Sequence, residues 1–111
     1  MADAWIGTPE ADRQTLKAMQ DAGANLTKAT EVNAYLYFHD RDAANRAASQ
    51  ASTPEMSATV QRAADDSAWL CYVTGEMVPS ENAIRALSIS LLAVAAFHDG
   101  EYDGWEAAIT K

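Results

Sequence analysis

Apolar and polar residues change their spacing several times along the chain, and each change marks an element. Residues 30–39, TEVNAYLYFH, alternate with a period of two. Val32, Ala34, Leu36 and Phe38 face one side; Asn33, Tyr35, Tyr37 and His39 face the other. Alternation carried by β-branched and aromatic side chains predicts a strand. The segment 55–63, EMSATVQRA, alternates again through Met56, Ala58 and Val60. After a turn at Asp65, Asp66 and Ser67, residues 68–78 are apolar almost throughout, which suits a central strand. Residues 100–109, GEYDGWEAAI, predict a last strand of about ten residues.

Three other segments read as helices. In the first, Thr8 caps, Pro9 takes the first helical position and Gly23 closes the far end; Leu16, Met19 and alanines form a thin apolar side. The second starts at Asp40, is rich in alanine and stops before Pro54. The third starts at Ser80 and stops at Asp99-Gly100. Its broad apolar stripe comprises Ile84, Leu87, Leu91, Leu92, Val94 and Ala95. Ile89, Ala93 and Phe97 lie off that stripe and are expected to pack under the N-terminal segment, or else to form an apolar patch for a partner.

Read in order, the chain is a helix followed by two β-α-β units. Right-handed, short connections bring such a chain to an α+β fold: a ferredoxin-like sandwich. It has a four-stranded, mostly antiparallel sheet, two crossover helices on one face and an extra N-terminal helix. No linker or repeat divides residues 1–111, so one domain is expected.

Composition narrows the function. Sixteen acids against eight bases give a net charge of −8 over 111 residues, the wrong sign for holding phosphates, so direct nucleic-acid binding is disfavoured. The same charge disfavours an anionic membrane surface. The greasiest run, SISLLAVAAF, has ten residues, against roughly 20 for a bilayer span. The first residues lack the basic and apolar regions of a signal peptide, and a cytoplasmic protein is expected. Cys71 is the single cysteine, so it has no internal disulfide partner and cannot build a cysteine zinc site.

Candidate chemistry is sparse. His39 and His98 each stand among acids, but neither has a second histidine at ligand spacing, and His98 reads as a helix-end residue. Cys71 sits inside an apolar strand and reads as core. Glu101 and Asp103, two apart on a strand, share a face; such a pair is more often a solvated, anti-aggregation edge than an acid–base couple. No catalytic, cofactor or metal site is expected, and the protein is read as a non-enzyme.

Tyr35 and Tyr37 face away from the apolar side of their strand. Open sheets of this kind stack RNA bases on aromatics, but they surround them with lysine and arginine, which are missing here. The favoured expectation is that the N-terminal helix, Trp5 or a second subunit covers these tyrosines.

Three motifs then carry a family resemblance: Met77-Val78-Pro79-Ser80 leading into the last helix, the block Glu101-Tyr102-Asp103-Gly104-Trp105, and VNAYLYFHDRDAANRAA. Together they resemble the RraB family, regulators of ribonuclease E activity, from about residue 10 onward. The resemblance implies a ferredoxin-like fold and a cofactor-free, non-enzymatic role: binding ribonuclease E and inhibiting its cleavage of RNA. The partner-contact residues expected from this reading are Tyr35, Tyr37, Glu101, Tyr102, Asp103 and Trp105. Gly104 is expected to allow a bulge, and Trp105 to pack. An RNA-binding module using the open-face aromatics, and a small-molecule binder or enzyme using Glu101 or His39, stay open as alternatives.

Overall fold

The computed structural model describes residues 5–111. Within them lie α1 (Pro9–Asp21), β1 (Thr30–Phe38), α2 (Arg41–Ala51), β2 (Ser57–Arg62), β3 (Trp69–Met77), α3 (Glu81–Phe97) and β4 (Glu101–Ala107). Each helix begins at a side-chain cap. Thr8 Oγ1 accepts from the Ala11 amide at 3.2 Å, Asp40 Oδ1 from Ala43 at 2.7 Å and Ser80 Oγ from Ala83 at 3.1 Å. These bonds satisfy amides that the first helical turn leaves without an internal partner. Asp99, with φ of 58°, makes the left-handed turn that ends α3.

The strands form one antiparallel sheet in the order β2-β3-β1-β4, compatible with a ferredoxin-like sandwich. β3 is internal, as its apolar run predicts. One face of the sheet meets α2 and α3. Leu36, Phe38, Cys71 and Val73 from the strands interlock with Ala43, Ala44 and Ala47 of α2 and with Leu91, Val94 and Ala95 of α3. The alanine face of α2 lets that helix lie close to the sheet. α1 packs on α3 rather than on the sheet's far side: Leu16 and Met19 meet Ile84, with Trp105 and Ala107 alongside.

Three expectations change here. First, α1 does not cover Tyr35 and Tyr37. Its apolar residues are spent on Ile84 and Trp105, which belong to the helix side, and Ile6 and Gly7 follow them there. Second, Leu92 is not in the buried stripe of α3 but 38% exposed. Ser88 is buried within the stripe, its hydroxyl 3.4 Å from that of Tyr102, while Leu92 lies at the stripe's margin. The backbone of Gly7 lies against Leu92: a Cβ there would come within 2.8 Å of Leu92 Cδ1. Third, Ile89 and Phe97 do not pack under the N-terminal segment; they are 58% and 77% exposed.

No helix among the described residues is long and apolar enough to cross a membrane.

Candidate functional site

β4 is irregular in a way that sets the site. Ala34 pairs with Trp105 while Leu36 pairs with Tyr102, so two steps along β1 match three along β4. The extra residue lies at Asp103-Gly104, where Gly104 has φ of +94°. This is a β-bulge, and its left-handed position is one that glycine occupies without steric cost. Strict alternation sends residues three apart to opposite faces. The bulge instead sends both Tyr102 and Trp105 to the helix side.

Tyr102 is therefore buried, 3% exposed, and desolvation pushes its phenol up to about 12. Trp105 is half-buried and donates its indole N–H to Asp12 Oδ1 at 3.0 Å. Asp12, 2% exposed, also receives Arg85 Nη1 on its second oxygen at 2.6 Å. Arg85 donates as well to the Gly7 carbonyl at 2.8 Å. Of the six expected contact residues, these two aromatics thus hold β4 against α1 and α3, and Tyr102 has almost no exposed surface.

The other four look outward. Tyr35 and Tyr37 lie on the helix-free face of the sheet, and Glu101 pairs with Tyr37, so it projects there too. Asp103 is exposed in the bulge, near enough to Tyr37 that its charge, after desolvation, helps raise the Tyr37 phenol. Tyr35 donates to Glu106 Oε1 at 2.5 Å, the main reason its own phenol is raised. Its ring tilts against that of Tyr72, centroids 5.4 Å apart. Strand pairing adds Glu31 opposite Glu76 to the same face.

Beside Tyr37 the face runs into an open cleft of about 1000 Å³, whose walls include His39, Asp65, Asp99, Glu101 and Asp103. Hydrogen bonds from the Ser67 side chain and amide hold the Asp65 carboxyl below its ordinary range, so it stays ionised. No group of three histidine, cysteine or acidic side chains among the described residues is placed to hold a metal ion.

Residues 9–107 match the family described as RraB, Regulator of ribonuclease activity B. The chain belongs to the RraB family. No curated protein matches it. The match spans every element of the fold and includes the acidic strand face, the bulge and the Asp12–Arg85–Trp105 contact.

Within this RraB domain, strand positions on the helix-free face carry Glu31, Glu76, Glu101 and Glu106 and no lysine or arginine. Arg62, the basic residue of the strands, pairs with Trp69 on the helix side and lies over its ring. Four carboxylates set among Tyr35, Tyr37 and Tyr72 can attract cationic groups, and the tyrosine rings can stack against planar guanidinium ions. Sequence reading missed Glu31 and Glu76, although strand parity alone places them beside Asn33 and Thr74. It could not find Glu106, because the bulge shifts the parity of everything after Gly104. The buried Asp12 carried no local signal at all: its partners are 73 and 93 positions away.

Proposed function

We propose that this RraB domain is a non-catalytic regulator that docks a basic segment of a protein partner, ribonuclease E in the first instance, on its helix-free sheet face and thereby lowers RNA cleavage. The observation that carries the reading is the composition of that face: four glutamates and three tyrosines with no basic residue on its strand positions. Family membership supports action on a ribonuclease. The acids steer and select a cationic partner, while the tyrosines supply contact area that loses little conformational freedom on binding. Occupying a basic segment of the nuclease acts by exclusion or by shifting its conformation; no bond is made or broken by the regulator.

The test is a titration of ribonuclease E from the same organism, following both complex formation and cleavage at several salt concentrations. Complex formation that slows as salt rises, together with reduced cleavage, is expected. The triple variant Glu31→Gln, Glu101→Gln, Glu106→Gln should weaken binding at least tenfold. No complex and unchanged cleavage at micromolar protein rejects the proposal. A salt-dependent affinity for RNA alone would move the site to the other class of partner.

A further inference from the structure

The two edges of the sheet are built differently. β4 protects its edge with the Gly104 bulge and with Glu101, Asp103 and Glu106, features that discourage another strand from adding there. β2 has no bulge and no acid, and its charged residue, Arg62, ends the strand and lies over the Trp69 ring. From Ser57 to Gln61 it reads Ser-Ala-Thr-Val-Gln, regular in its pairing with β3 and free of charge, proline and bulge. Ser57, Thr59 and Gln61 are exposed, and no backbone hydrogen bond beyond the pairing with β3 is formed by residues 57–61 among the described residues. The outward amides and carbonyls of β2 are a template for one more strand.

We propose that β2 pairs antiparallel with β2 of a second copy of this chain, about a two-fold axis through Val60, joining two sheets into one of eight strands. Charge selects this occupant. A cationic segment is drawn to the carboxylates of β4 and the open face, whereas residues 57–61 of β2 carry no charge, so two copies pairing there oppose no like charges across the new strand pair although each chain carries −8. The register is self-complementary. With Val60 on the axis, Val60 meets its own copy on the helix side, and Thr59 meets Gln61 on the open face. Each contact keeps its face, as strand parity demands. The acidic faces of the two copies then lie side by side, so that a partner with two basic segments is held twice.

The area joined by one strand pair is small, so the dimer is weak and exchanges rapidly. Sedimentation of the full chain from about 5 to about 500 µM should show a shift from monomer to dimer. Hydrogen exchange of the β2 amides should slow over the same range while that of β4 does not. The double variant Thr59→Glu, Gln61→Glu, checked by circular dichroism for an unchanged fold, should raise the dissociation constant more than tenfold; Phe97→Glu, on the exposed side of α3, should leave it unchanged. A monomer throughout the range overturns the proposal. So does a dimer that the two glutamates leave intact, or one whose β2 amides exchange as fast as those of the monomer.

Discussion

The carboxylate of Asp12 on α1 accepts the indole N–H of Trp105 on β4 at 3.0 Å, across 93 positions of sequence. It is the buried tie that fixes the N-terminal helix to the irregular last strand, and Arg85 from α3 completes it. A buried charge of this kind is held by both partners at once, so losing one leaves the other uncompensated.

Replacing Asp12 with alanine should cost about 3 kcal/mol, because Arg85 and the Trp105 indole both lose their acceptor. Asp12→Asn keeps an acceptor for Trp105 and should cost less. Urea unfolding followed by tryptophan fluorescence measures both, and a loss under about 1 kcal/mol for the alanine variant would contradict the role of the tie.

Two glycines should respond differently to alanine. At Gly104 an added Cβ has room, its nearest neighbour being Ile6 Cγ2 at 3.5 Å, so only the left-handed backbone is penalised, by roughly 1 kcal/mol. At Gly75 the same Cβ lands 2.2 Å from the carbonyl oxygen of Glu55, where the chain approaching β2 crosses β3. Gly75→Ala should therefore be the worse of the two, with a loss of about 3 kcal/mol or more. Chemical denaturation of the pair ranks them.

Stability should fall in alkali. The Tyr102 phenol is raised from 10.0 to about 12 in the folded protein, chiefly by desolvation. Below pH 10 both states hold the proton and its contribution is fully present. Between pH 10 and pH 12 the unfolded chain binds fewer protons than the folded one, so the free energy of unfolding declines. Tyr102→Phe should flatten that part of the profile, while Tyr35 and Tyr37, also raised, keep a residual slope. Unfolding midpoints across this range, with and without Tyr102, provide the comparison.

Cys71 is fully buried on β3, and burial pushes its thiol up to about 11. A thiol reagent at neutral pH should modify it only through opening of the sheet, at a rate that rises with urea. Rapid modification of the folded protein would contradict this.

Glu31 and Glu76 stand directly opposite each other, like charges on adjacent strands. Glu76→Gln should raise stability by on the order of a few tenths of a kcal/mol while weakening the proposed partner contact, since removing the repulsion also removes an attracting charge. Stability and partner affinity measured on one preparation should move in opposite directions.

Much of this architecture is legible in the amino-acid order. Thr8, Asp40 and Ser80 announce their helices, the alternation of residues 30–39 announces β1, and the apolar run ahead of Gly75 announces an internal strand, because caps and strand parity act over a few residues. The exposed surface is harder to read. Where Ile89 and Phe97 end up, and that α1 leaves Tyr35 and Tyr37 uncovered, depend on which of several apolar faces find each other.

The order of residues suffices for the elements, the family and the acidic balance, since local hydrogen bonding, side-chain period and ionisation need no distant partner. It takes the packed fold to bring Tyr102 and Trp105 to the core side, to bury Asp12 between Arg85 and Trp105, and to gather four glutamates and three tyrosines on one helix-free face. Each of these is a juxtaposition across strands or helices. A single inserted residue at Asp103-Gly104 is enough to reassign every side chain after it.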